Sequence, residues 1–193
     1  MQRLVLTRDA APETVPELAT ALGWKPARVP VGEQEDVRAA YLHATGVRVR
    51  WIDDAQTGWS YLLVPDAHAP AWRRVLRQSG ALVQRGDALE RFRKARDVDD
   101  IRDAALLLGL FAHGILDDEI FASLAAALLS FSDAVRSAAL TAITYSTWSE
   151  FAPLLRVALQ ESGASPAVLR EGREIAEQMD AAQWNLAYYA NDS

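Results

Sequence analysis

The chain has 193 residues, 50% of them hydrophobic and 24% charged, with a net charge of −6 and no cysteine. Such a composition builds a globular core and does not suit a disordered segment. The lack of cysteine excludes a disulfide framework, a thiolate zinc site, an iron–sulfur cluster and a cysteine nucleophile.

The charge is unevenly placed. Residues 1–90 hold 11 Lys and Arg against 11 Asp and Glu, whereas residues 97–193 hold 5 Arg against 15 acids, a net of −10. Between them Arg91, Arg93, Lys94 and Arg96 form a basic stretch. Proline and tryptophan concentrate in the first 72 residues, and 21 of the last 103 residues are alanine. These shifts predict an α+β domain over 1–90 and an all-helical domain over 91–193 with a C-terminal tail.

In the first half, Arg3–Thr7 is β-prone, and Pro12–Leu22 has apolar positions at helical spacing ahead of Gly23. A strand and a glycine-stopped helix are expected. Lys25–Val31 contains Pro26 and Pro30 and suits at best an edge strand. Val37, Ala40, Tyr41 and Ala44 predict a helix over Glu33–Thr45, capped by Gly46. Val47–Trp51 alternates, as does Trp59-Ser60-Tyr61 before Leu62-Leu63-Val64, around the turn formers Asp53–Gly58, which predicts a β-hairpin with Val47, Val49 and Trp51 on one face and Arg48 and Arg50 on the other. Pro70–Ser79 reads as a helix and Leu82–Arg85 as a closing strand, so the half is a small sandwich of ferredoxin-like flavour.

In the second half, Ile101–Leu106 matches Val135–Leu140 thirty-four residues on, each behind an acid, Asp99 or Asp133. Glu119–Leu128 matches Glu150–Leu159 at an offset of thirty-one. Two alternating helix types are expected over about 98–112, 117–130, 133–146, 150–161 and 166–182. Each is too short to hide its apolar face alone, so stacking is the physical solution.

Over roughly residues 97–180 this pattern resembles the HEAT-repeat, or armadillo-like, family of helical solenoids, whose second helix opens with an acid, a Val-Arg pair and small residues. The resemblance implies that Asp99, Arg102, Asp133 and Arg136 are structural and brace adjacent repeats. It also implies a scaffold that binds macromolecules without catalysis. The sequence departs from the family in lacking the usual proline after the acid, in keeping only the second helix of its first repeat, and in the strongly apolar Leu106–Gly109.

Candidate chemistry is sparse. Asp97, Asp99, Asp100 and Asp103 lack the spacing of a calcium loop and suit helix capping, as do Asp117, Asp118 and Glu119. His43, His68 and His113 form no metal motif, no Gly-x-Ser-x-Gly elbow occurs, and the ten glycines are scattered singly. No metal or cofactor is expected. Tyr145, Trp148 and Phe151 cluster at one turn, and Trp184, Tyr188 and Tyr189 crowd the tail. Trp148 and Tyr145 beside Glu150, together with Asp117, Asp118 and Glu119, are therefore candidate partner-binding residues.

The basic run at 91–96 is too small a patch for nucleic acid ahead of so acidic an array and reads as a charged helical connector paired with the acids at 97–103. No run approaches the roughly 18 apolar residues of a membrane helix, and charges interrupt the first twenty residues, so a cytoplasmic, non-membrane protein is expected. The expected function is a non-catalytic adaptor with a basic protein partner, such as an immunity-type inhibitor. The alternative is an enzyme or small-ligand module whose site lies where the halves meet and uses Arg48 and Arg50.

Overall fold

Strict alternation and a tight turn place the central hairpin. In the computed structural model, which describes residues 1–10, 12–29, 36–146, 148–161 and 163–180, β4 (Arg48–Asp54) and β5 (Trp59–Val64) pair antiparallel with Trp51 opposite Leu62. Asp54 Oδ1 accepts from the amides of Gln56 and Thr57, and Gly58 takes a positive φ to close the turn. Val49 and Trp51 are buried and Arg48 and Arg50 half-buried, as the alternation requires.

The chain forms two compact units, Met1–Gln84 and Arg85–Ser193. In the first, β1 (Gln2–Val5), β2 (Lys25–Ala27) and β3 (Val37–Leu42) complete a five-stranded antiparallel sheet in the order β1-β5-β4-β3-β2. Helices α1 (Thr14–Ala21) and α2 (Ala69–Gln78) supply Val15, Ala19, Ala69, Trp72 and Leu76 to a core with Leu4, Leu6, Tyr41, Val49, Trp51, Leu62 and Val64. Burying these side chains is the main force holding helices to sheet.

Two expectations for this unit are corrected. The stretch read as a helix over 33–45 is β3 from Val37 onward, and Gly46 turns the chain into β4 with φ +84° instead of capping a helix. Its apolar spacing fits a helix locally. The strand wins because β4 offers a backbone ladder, pairing Tyr41 with Val49, which no local window contains. A bulge between Val37 and Ala39 lets Arg38 lie over the Trp51 ring, 4.3 Å from its centroid, and pair with Asp53 at 3.1 Å. The closing strand expected at Leu82–Arg85 shrinks to one bridge, Leu82 to Leu6, because Arg85 already begins a helix.

The second unit contains α3 (Arg85–Lys94), α4 (Val98–Phe111), α5 (Asp118–Leu128), α6 (Asp133–Thr144), α7 (Phe151–Glu161) and α8 (Pro166–Asp180). They form three successive hairpins, α3/α4, α5/α6 and α7/α8. In one layer α4 packs on α6 and α6 on α8; in the other α3 packs on α5 and α5 on α7. The segments related by thirty-four residues are thus α4 and α6, side by side. Helix α3 supplies the first-hairpin partner that the sequence reading lacks, and residue 90 lies inside it. Among the described residues no helix is long and apolar enough to cross a membrane.

Candidate functional site

Both acidic clusters of the helical unit begin as caps. Asp97 accepts from the Asp100 amide at 2.8 Å at the start of α4. Asp117 accepts from the amides of Glu119 and Ile120 at 3.1 and 3.2 Å at the start of α5. Orphan amides at a helix N-terminus and the positive end of its dipole account for acids at these places.

Beyond capping the clusters differ. Arg85 binds Asp117 through two nitrogens and Glu119 at 2.6 Å, and Arg93 reaches Glu119 at 2.6 Å. The second acidic cluster is therefore clamped by arginines of α3. At the first, Arg91 pairs with Asp103 at 3.3 Å, as expected of a connector facing the acids at 97–103, and Asp99 meets Arg102 of its own helix at 3.1 Å while its side chain stays 89% exposed. Asp100, Asp118 and Glu150 are exposed and make no ion pair among the described residues.

The clamp carries a pH prediction. The Arg85 guanidinium holds the Asp117 carboxyl below its ordinary value, and Arg85 with Arg93 does the same for Glu119. A carboxylate depressed in the folded state adds stability above its unfolded pKa and loses it as pH falls through the folded one. Arg85→Met is expected to melt below the wild type at pH 7. The gap between the two should narrow as pH falls below the ordinary carboxylate range and through the depressed folded values, where the wild-type carboxylates at last take up their protons. A melting-temperature gap that persists in acid would mean that Arg85 acts through packing instead.

The repeat-related pairs Asp99–Arg102 and Asp133–Arg136 have separate roles. Asp133 accepts from the Ser165 amide at 3.2 Å, which ties α6 to the turn before α8. Its other partner, Arg136 at 2.6 Å, is 3% exposed. Hydrogen bonds from Ser165 and Arg136 keep the Asp133 carboxyl below its ordinary range. This pair braces adjacent hairpins, whereas Asp99–Arg102 is a surface pair within α4.

Trp148 corrects an expectation. Its side chain is 3% exposed, its indole Nε1 donates to the Gly114 carbonyl at 3.1 Å, and its ring lies 6.1 Å from that of Phe151, which stacks on Phe121. It packs the turn between α6 and α7 against the turn between α4 and α5 and presents no aromatic surface. Sequence placed it in a polar loop, but burial needed the neighbouring turn, thirty-four residues away. Tyr145 is half-buried and Glu150 exposed. Trp184, Tyr188 and Tyr189 lie outside the described residues.

In the first unit, His43 and His68 come together where no sequence motif joins them. Their ring centroids are 5.1 Å apart, and Trp24 lies 5.0 and 5.2 Å from the two. Trp24 also meets Trp72 at 5.9 Å, so the histidines close one edge of the sheet–helix core. Among the described residues no three His, Cys, Asp or Glu side chains converge as metal ligands. Family models, curated proteins and solved structures yield no match to the chain.

Proposed function

We propose that the chain is a non-catalytic interaction or adaptor protein whose HEAT-like helical unit presents an acidic surface to a basic protein partner. One observation carries the reading: residues 97–193 have a net charge of −10, and the stacked helices hold several of those acids, Asp99, Asp100, Asp118 and Glu150, exposed to solvent. Concentrated negative charge on a rigid scaffold raises the encounter rate with cations and repels phosphate backbones. An immunity-type inhibitor that neutralises a basic protein by covering it is one role suited to such a surface.

A partner recovered by co-purification and identified by mass spectrometry should be basic. Its association rate should fall at least about tenfold between low and high salt, while dissociation changes little. Asp118→Asn with Glu150→Gln should lower the low-salt rate while circular dichroism shows the protein still folded, with at most the small loss expected from removing an acid in the first turn of α5. An association rate indifferent to salt would overturn the proposal.

A further inference from the structure

Resting on that reading, we infer that one end of the helical unit, formed by the turns before α4 and α6, is the docking edge, and that it takes a basic segment of the partner carrying an apolar side chain. Helices α4 and α6 run parallel, because they meet in the same order along both: Gly109 against Ala142, then the turn at Gly114 against Trp148. Gly109 lies directly against Ala142 late in both helices, which sets their first turns level. Asp97, Val98, Asp99 and Asp100 therefore share one end of the unit with Leu129, Phe131 and Asp133. The Ser165 amide on Asp133 places the turn before α8 at that end too.

This edge exposes apolar surface that folding leaves uncovered. Phe131 is 101% exposed, and Leu129 and Val98 are exposed as well. Single exposed apolar residues are ordinary, but a phenylalanine standing free on a tight turn beside a leucine is the composition of a binding anchor. Asp97, Asp99, Asp100 and Asp133 share this end with it; Arg102 pairs with Asp99, Arg136 with Asp133, and Arg96 donates to the carbonyls of Arg93 and Ala95, so Asp100 keeps its charge without an ion pair among the described residues. At the opposite end Arg85 and Arg93 clamp Asp117 and Glu119, and the exposed apolar side chain is the aliphatic Ile115 in place of an aromatic. Charge complementarity around an apolar centre selects a cationic segment with an apolar anchor, and it disfavours a second copy of so acidic a chain.

The test uses the full chain and two fluorescent synthetic peptides of equal length and charge, one of lysine and leucine, the other of lysine and serine. The leucine peptide should bind at least about tenfold more tightly in anisotropy titrations, the gain expected from burying one or two apolar side chains. Phe131→Ser should remove most of that advantage and leave the serine peptide unchanged. Asp99→Asn with Asp100→Asn should weaken both peptides, and Ile115→Ser, at the other end, should affect neither. A leucine advantage that survives Phe131→Ser, or that is lost in Ile115→Ser, overturns the docking edge alone. Self-association of the wild type that Phe131→Ser abolishes would likewise overturn it, assigning the edge to a second copy. Failure of both peptides to bind would remove the acidic-surface reading itself.

Discussion

Replacing Gly109 with alanine is expected to lower the stability of the helical unit by about 3 kcal/mol, at the upper end of overpacking costs. A Cβ at this position would stand 2.6 Å from both Cα and O of Ala142 and 2.8 Å from its Cβ. Two of those atoms are backbone of the neighbouring helix, so no side chain can rotate out of the way. Helices α4 and α6 would have to separate, opening the layer in which Ala104, Leu108, Ala139 and Ile143 are fully buried. Ordinarily a helical glycine costs stability relative to alanine, and here close approach of two helices reverses the sign. Gly86 in α3 is the matched control: nothing lies within 4 Å of its added Cβ, so Gly86→Ala should be neutral or stabilise by up to about 0.5 kcal/mol. Urea unfolding followed by far-UV circular dichroism checks both, and a Gly109→Ala midpoint equal to wild type would refute the close-packing argument. The same lesion should impair partner binding, because the contact at Gly109 sets the level of the first turns of α4 and α6.

Trp148→Ala is expected to cost about 3–5 kcal/mol, the range for deleting a large aromatic from a packed interior. The loss combines the cavity beside Phe151 with the broken bond to the Gly114 carbonyl. Trp148→Phe separates the two terms. It keeps most of the packing and removes the indole N–H, so it should cost about 1 kcal/mol, the net worth of one such hydrogen bond plus a small packing loss. If Trp148 were a partner anchor, alanine would weaken binding and leave the melting temperature intact. The burial of its side chain predicts the reverse order of effects, with stability lost first.

Local signals carried much of this architecture. The boundaries of α4 and α5 follow from acids that cap them, and the β4–β5 hairpin follows from alternation about an Asp-rich turn, because caps and turns are contacts within a few residues. The thirty-four-residue repeat likewise announced that α4 and α6 would be equivalent. By contrast, β3 is not legible locally, because Val37, Ala40, Tyr41 and Ala44 have helical spacing and say nothing of a strand partner. Locally helix α3 has the charge run of a connector, and its role as a stacking partner and arginine clamp depends on α5, which lies well beyond it in sequence.

The candidate surface divides in the same way. Sequence by itself determined the sign and place of the charge, a neutral first half and a helical array of −10, because charge is additive and needs no geometry. Only the tertiary structure decided which acids remain available, since Arg85 and Arg93 fold onto Asp117 and Glu119 while Asp99 and Asp100 stay exposed. It also moved the exposed aromatic from Trp148 to Phe131. Burial is a property of what packs against a residue, and the residues that bury Trp148 lie on a neighbouring turn that the chain reaches only after a full repeat has stacked.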